Sequence, residues 1–389
     1  MTISIDETWL IQTLTDLVNI DSVNPDLVPG GVGEGAIAAY IENVLRELDV
    51  AVDTHELEFG RSNVIGTIKG QGEGRSLMLN AHTDTVGYHG MQNPLGAEIR
   101  DGKMYGRGAF DMKASLAACL AIFKALTESD VQLAGDLLLT AVIDEEHKSL
   151  GTQHLVEHYT TDGAIVTEPT GMRVCCGHRG FVWYDVEVTG RAAHGSRYQD
   201  GIDANTKMGY LLVELDKFSK KLLMRDGHPL FGPPSMHVPL INGGSSQSVY
   251  AARCKIEIER RIIPGESNAQ ALGEIQAVID LLSAHDPEFK AVVTETFSRD
   301  AFEVAEDAPI VQELMAANQE VRGLKPDVYG ELWWMDSALI AAAGIETVIF
   351  GPSGAGAHAD EEWVDLDSVM EFARVVADAS IRYCGVSDD

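Results

Sequence analysis

Apolar runs of strand length recur through the first half of this 389-residue chain and alternate with segments of helical spacing. Residues 76–81 (SLMLNA), 136–143 (DLLLTAVI) and 164–167 (AIVT) read as buried strands. Residues 35–48 place Ile37, Tyr40, Ile41, Val44 and Leu45 at helical spacing, and 111–126 (DMKASLAACLAIFKAL) reads as a long apolar helix with Asp111 at its start. Such alternation predicts an α/β fold, a mostly parallel sheet with helices on both faces.

The pattern changes near Gly177. Residues 181–189 (FVWYDVEVT) alternate like a half-exposed strand. A helix at about 205–222, strands at 235–241 and 253–263, a helix at about 267–283 and a strand near 290–297 follow. The order β-α-β-β-α-β predicts an antiparallel sheet with two helices on one side. From about 300 the first style returns, with helices at 308–321, 336–343 and 367–383 and a strand at 346–350. The chain is too long for one ordinary core. The expected organisation is a catalytic domain in two parts, 1–178 and 300–389, with a small α+β domain inserted at 179–299.

Several function classes are disfavoured. A net charge of −31 repels nucleic acid and anionic lipid, so neither is an expected partner. That charge reads first as a solubility or high-salt adaptation, and second as a means of attracting a cationic substrate. No run of about 18 apolar residues occurs, so no membrane span is expected. The start MTISIDETWL lacks the basic and apolar regions of a signal peptide, and a cytoplasmic location is the expectation. Five cysteines without CxxC spacing indicate neither a thiolate zinc site nor a disulfide framework. The glycine-rich PGGVGEG (29–35) has no following Lys-Ser/Thr and reads as a surface loop.

Chemistry-bearing residues gather at the ends of the apolar runs. NAHTDTV (80–86) puts His82 at a strand end with Asp84 two residues on, the spacing for a carboxylate that fixes the imidazole tautomer. A simple tie between strand and loop would use the same pair. In GRGAFDMKAS (106–115), Asp111 suits either a metal or a helix N-cap. IDEEHKSLGT (143–152) sets Glu145 beside Glu146, and neighbours in an extended segment point opposite ways. One can hold a metal while the other faces a substrate water; an exposed acidic turn is the plainer alternative. VTEPT (166–170) places Glu168 beyond a strand with Pro169 stiffening the turn. GPSGAGAHADEEW (351–363) carries His358 in a flexible loop. Strands deliver such residues to one sheet edge. Two His and three carboxylates suit a pair of borderline divalent cations such as zinc.

The ordered set H-x-D, D, E-E, E, H resembles that of the zinc-dependent family of acetylornithine deacetylase, succinyl-diaminopimelate desuccinylase, aminoacylase and bacterial glutamate carboxypeptidase, over nearly the full length. The resemblance implies a zinc-exopeptidase-like catalytic domain with two Zn2+ (Co2+ or Mn2+ fit the same ligands) and a lid that often mediates a homodimer. It implies His82, Asp111 and Glu168 on one metal, and Asp111, Glu146 and His358 on the other. Glu145 is then the general base and Asp84 orients His82. GRAAHGS (190–196) resembles the lid signature in which His194 stabilises an oxyanion, and ERRIIPGE (259–266) the stretch in which Arg261 binds a substrate carboxylate. Taken alone, His194 reads as a loop residue and Arg261 as half of a surface ion pair. Ser248, where relatives often carry Asn, and Trp334-Met335-Asp336-Ser337, in place of a commoner Thr-Asp-Ala, depart from the pattern near the substrate pocket. The implied reaction is hydrolysis of a small N-acyl amino acid, acetylornithine first, with a succinylated diamino acid or a dipeptide as alternatives.

Overall fold

The computed structural model describes residues 3–387; Met1 and Thr2 of the MTISIDETWL segment, and Asp388 and Asp389, lie outside the described residues. In chain order the elements are α1 (Glu7–Asn19), α2 (Gly35–Glu47), β1 (Ala51–Glu58), β2 (Arg61–Ile68), β3 (Leu77–His82), β4 (Glu98–Arg100), β5 (Lys103–Tyr105), α3 (Ala114–Thr127), β6 (Leu137–Val142), α4 (Leu150–His158), β7 (Gly163–Val166) and β8 (Val174–His178). There follow β9 (Gly180–Thr189), α5 (Ala204–Leu222), β10 (Ser235–Gly243), β11 (Arg253–Ile262), α6 (Asn268–His285), β12 (Ala291–Arg299) and β13 (Phe302–Glu303). The chain closes with α7 (Pro309–Arg322), β14 (Val328–Glu331), α8 (Ser337–Ala342), β15 (Glu346–Ile349), β16 (Gly354–Ala355), β17 (Trp363–Asp365) and α9 (Leu366–Cys384). Two compact units result: one runs to Cys176 and resumes over Val304–Tyr329 and from Met335, the other comprises Gly177–Glu303 and Gly330–Trp334.

In the first unit the apolar runs become the sheet centre. β6, β3, β7 and β15 are parallel neighbours in that order, and β1 and β2 extend the β6 side antiparallel. Every residue of β3, β6 and β7 is buried. Successive side chains point to opposite faces, so both faces are covered, as a parallel sheet requires. The registers level the strand ends: His82 lies beside Val142, and Asn80 and Ile349 each lie beside Val166. Loops leaving these four ends therefore start from one edge. α3 packs on α1, α9 and β3; all of it except Lys124 and Thr127 is buried, which its nearly uniform apolar sequence demands.

One expected boundary moves. The helix expected from Asp111 begins at Ala114, and Asp111 itself has non-helical φ −119°, ψ 92°. The buried Glu362 carboxylate accepts the backbone N–H groups of Gly108, Phe110 and Asp111 at 3.2, 2.9 and 3.0 Å. Those donors are satisfied across the loop, so the chain can enter the helix late and turn Asp111 outward.

The second unit follows the β-α-β-β-α-β order with a four-stranded antiparallel sheet, β10-β11-β9-β12. Val182, Tyr184, Val186 and Val188 of β9 and Cys254, Ile256, Ile258 and Ile262 of β11 point into a core shared with Met208, Leu211 and Leu215 of α5 and Ala271, Ile275 and Ile279 of α6. The alternate residues are left on the open face, the signature of a sheet covered on one side. All five cysteines are buried. Among the described residues no helix is long and apolar enough to cross a membrane.

Candidate metal centre

Because the parallel strand ends are level, the segments after β3, β6, β7 and β15 converge. His82, Asp111 and Glu168 bring one donor atom each within 4.8 Å of one another, and Asp111, Glu146 and His358 do the same. Asp111 belongs to both groups through different oxygens. Its Oδ1 lies 3.2 Å from His82 Nε2, and its Oδ2 lies 3.4 Å from His358 Nε2. Glu168 is 3.6 Å from His82 Nε2, and Glu146 is 2.9 Å from His358 Nε2. The Asp111 carboxylate thus stands between two His–Glu pairs, the position of a bridge.

Glu145, next to Glu146, is half-buried. Burial, and then the charges of Glu168 and Asp336, hold its carboxyl well above the ordinary carboxylate range. Burial and the Asp111 charge push Glu146 up to about 7, and burial likewise holds Glu168 well above its ordinary value. Burial also works against Asp111, but hydrogen bonds from His358 and His82 outweigh it and keep that carboxyl low. Hydrogen bonds to Asp111 and Glu146 push His358 up to about 10. Burial opposes a proton on His82, yet Glu168 and Asp111 keep it there well above the usual imidazole range.

This balance tests whether the residues suit a cation. Among the described residues, Asp111, Glu146 and Glu168 pair with His82 and His358 and with no Lys or Arg. Buried carboxylates at this density need positive charge, and protons on two imidazoles supply part of it. Divalent cations with oxygen and imidazole ligands would supply the rest, so the donor set fits two of them. A third cluster, Asp26, Asp144 and His147, also has close donor atoms. There the Arg61 guanidinium already pairs with Asp26 at 2.6 Å and Asp144 at 3.2 Å, which leaves no comparable charge deficit.

Asp84 behaves differently from the simple tautomer-fixing carboxylate of the sequence pattern. His82 Nδ1 hydrogen-bonds the backbone oxygen of Asp84 at 2.9 Å, with the carboxylate at 3.5 Å. The carboxylate accepts the backbone N–H groups of Glu145 and Glu146, each at 3.1 Å. It therefore braces the turn that presents both glutamates.

Sequence reasoning passed over Arg107 and Glu362 beside this candidate centre, and met Asp336 only as part of a departure from the family pattern. Arg107 donates to Glu362 at 2.6 Å and to the Ala359 carbonyl at 2.8 Å, tying the Asp111 turn to the His358 loop. Asp336 is buried and accepts a hydrogen bond from Thr152. Burial pushes Asp336 up to about 6. The acidic pair Glu361–Glu362 just after His358 was the one visible sign.

His194 and Arg261 belong to the second unit. His194 is exposed and its Nδ1 lies 2.8 Å from the Ser196 hydroxyl. Arg261 donates to Glu259 at 2.6 Å and lies over the Phe181 ring at 5.3 Å.

Comparison with known proteins identifies the family. The sequence profile described as Peptidase family M20/M25/M40 matches residues 78–382. The chain is 28% identical to the N-formyl-4-amino-5-aminomethyl-2-methylpyrimidine deformylase of Bacillus subtilis, covering 96% of this chain and 94% of that protein. It is also 28% identical to the acetylornithine deacetylase of Myxococcus xanthus, covering 96% and 97%. Among solved structures, the YXEP protein of Bacillus subtilis, a dinuclear metal-binding peptidase, superposes with a TM-score of 0.75 at 15% identity over 97% of this chain and 98% of its own. With the family profile spanning most of its length, this chain belongs to peptidase family M20/M25/M40, hydrolases of amide bonds.

Proposed function

We propose that this protein is a two-metal amide hydrolase that removes the acyl group from a small N-acyl amino acid, with N-acetylornithine the leading substrate. The observation that carries the reading is the Asp111 carboxylate between two His–Glu pairs, with Glu145 next in sequence to the Glu146 of one pair. In this reading His82, Asp111 and Glu168 hold one metal, and Asp111, Glu146 and His358 hold the other. Zinc is the proposed metal, and cobalt or manganese suit the same donors. When bound, such ions supply Lewis-acid polarisation and a lowered pKa for water.

The protein's own residues do the rest. Glu145 takes the proton of the attacking water and returns it to the leaving amine nitrogen, breaking the C–N bond. Its raised proton affinity suits a group that must accept and then give up a proton near neutral pH. Asp84 fixes the turn that aims Glu145. His194 donates to the carbonyl oxygen as it gains negative charge. Arg261 receives the substrate carboxylate in its planar fork, exchanging its present partner Glu259 for the ligand. The second unit serves as lid and homodimer contact, supported by Leu240 and Ile241 on edge strand β10 and Val292 on edge strand β12, which are exposed. A cytoplasmic setting accompanies this reading.

A second reading has its own support. The pyrimidine deformylase also cleaves an N-acyl amide by its name and matches with the same identity, so a formylated aminomethyl-pyrimidine is a competing substrate. Succinyl-diaminopimelate and dipeptides carry the same scissile amide and compete with it. The test is a panel of N-acetylornithine, other N-acetyl amino acids, N-succinyl-diaminopimelate, the formylpyrimidine and dipeptides, with and without added zinc or cobalt. Metal-dependent release of acetate from N-acetylornithine above all others is expected. Preference for formate release or dipeptide cleavage would transfer the assignment, and no turnover on any member would reject it.

A further inference from the structure

The turn that carries Glu145 and Glu146 is held by two buried carboxylates. Asp84 accepts the N–H groups of both glutamates. Asp144, immediately before them, has φ 66° in the left-handed region. Its N–H donates to the buried Glu34 carboxylate at 3.2 Å, and its own carboxylate accepts the N–H groups of Lys148 and Leu150 at 3.2 and 3.3 Å. Asp84 and Asp144 thus grip the turn from two sides, and two such buried carboxylates repel each other.

One side chain touches both. Asn24 is fully buried, and its Nδ2 donates to Asp84 Oδ2 at 2.8 Å and to Asp144 Oδ1 at 2.9 Å. A primary amide nitrogen carries two hydrogens, and both are used. Its Oδ1 accepts the N–H groups of Asp26 and Leu27 at 3.0 and 3.4 Å. A flipped amide would set that oxygen against two carboxylates and its hydrogens against two N–H groups, so the orientation is fixed by its neighbours. The Asn24 backbone N–H donates to the Thr85 carbonyl at 3.0 Å, which ties its loop to the segment just after Asp84.

We propose that Asn24 is a positioning residue: its amide joins Asp84 to Asp144 and so sets the angle at which the turn presents Glu145 and Glu146. The inference rests on the functional reading above, in which Glu145 is the base and Glu146 a ligand. Asn24 touches neither substrate nor metal in that reading. Arg61 pairs with Asp144 at 3.2 Å and with Glu34 at 2.6 Å, so these carboxylates keep their charge partner when the amide is lost. Removal of the amide should therefore loosen the turn while the unit stays folded.

The test compares wild type with Asn24→Leu, which keeps the volume without donors, and with Asn24→Ala. Each protein is loaded with Co2+ and its visible absorption, metal content, kcat and KM are measured, alongside thermal unfolding of the metal-free form. The cobalt bands report the ligand field that includes Glu146. The expected result is an altered cobalt spectrum and a kcat lower by about 10- to 100-fold, the usual range for a residue that orients metal ligands. KM should stay within about twofold, because substrate contacts are untouched. Unchanged spectra and kcat in folded variants would overturn the proposal. So would variants that fail to fold, or a kcat loss that only follows the unfolded fraction, since either makes Asn24 a stability residue. A wild-type protein that takes up no cobalt, or takes it up and cleaves nothing in the panel, defeats the functional reading instead. In the second case the spectra still decide the role of Asn24.

Discussion

At the scale of single residues, the centre is a set of acids with too little positive charge. Glu145 makes the sharpest prediction. Glu145→Ala removes the proposed proton carrier and leaves the donor atoms of His82, Asp111, Glu146, Glu168 and His358 in place. Metal content should hold, and kcat should fall by about 10²–10⁴-fold, the usual worth of a positioned general base. Near-normal turnover in that variant would remove Glu145 from the reaction. The second prediction follows from the protons. In the metal-free protein His358 is pushed up to about 10 and Glu146 up to about 7, so both still hold protons near neutrality. Raised values mean the protonated forms persist to higher pH, and a metal must displace them. Apparent zinc affinity should rise steadily from about pH 6 to about pH 8.5, with protons released on binding. Chelator competition and calorimetry in buffers of different ionisation enthalpy measure both; a flat profile would mean that these donors do not bind the metal. The ligand candidates were legible because each follows an apolar run or a glycine-rich loop. Asn24, Glu34 and Arg61 were not, because no local pattern marks a polar residue whose partner lies far away in sequence.

At the scale of elements, legibility followed burial. β3, β6, β7, α3 and α9 announce themselves because packing demands apolar residues at every turn of the backbone. β1 does not: its residues are all exposed or half-buried, so AVDTHELE shows no apolar face. Its partner β2 opens with Arg61, and that residue links elements the sequence keeps apart. The Arg61 guanidinium pairs with Glu34 before α2, Asp26 in the first loop, Glu58 at the end of β1 and Asp144 after β6, at 2.6, 2.6, 2.7 and 3.2 Å. Glu34 and Asp144 are fully buried. Hydrogen bonds and charge from Glu34 hold the guanidinium proton against burial. Arg61→Leu would strand these two carboxylates without a cation, and breaking a buried ion pair by removing one partner costs about 3–5 kcal/mol. Urea unfolding should show a loss of that size for metal-free protein at neutral pH. The deficit should shrink on acidification, because burial already raises Glu34 toward its neutral form, which needs no cation. A loss below about 1 kcal/mol would mean that the carboxylates find water or another donor when Arg61 is gone.

At the scale of the whole molecule, charge is the property that no single contact explains. The chain has 60 acidic and 29 basic residues, a difference of 31. Internal pairing does not remove the excess: Arg61 alone faces four carboxylates, and the candidate metal centre is acidic as well. Like charge spread over a folded surface opposes the compact state, because unfolding moves the charges apart. That repulsion acts over a screening length of about 30 Å at 0.01 M salt and about 3 Å at 1 M. Sodium chloride should therefore raise the Tm of the metal-free protein, with most of the gain between about 0.01 and 0.2 M, where screening first reaches below the spacing of neighbouring surface charges. Each ~1 kcal/mol of relieved repulsion is worth about 2–4 °C at a few hundred residues. Choline chloride at matched ionic strength separates screening from cation binding, since its bulky ion enters carboxylate clusters poorly. Equal rises in the two salts would assign the effect to the field of the whole surface. A rise in sodium alone would place it in specific cation sites, and no rise in either would mean that the acidic surplus is already tolerated at low salt, leaving the attraction of cationic substrates as the stronger account of why the chain carries it.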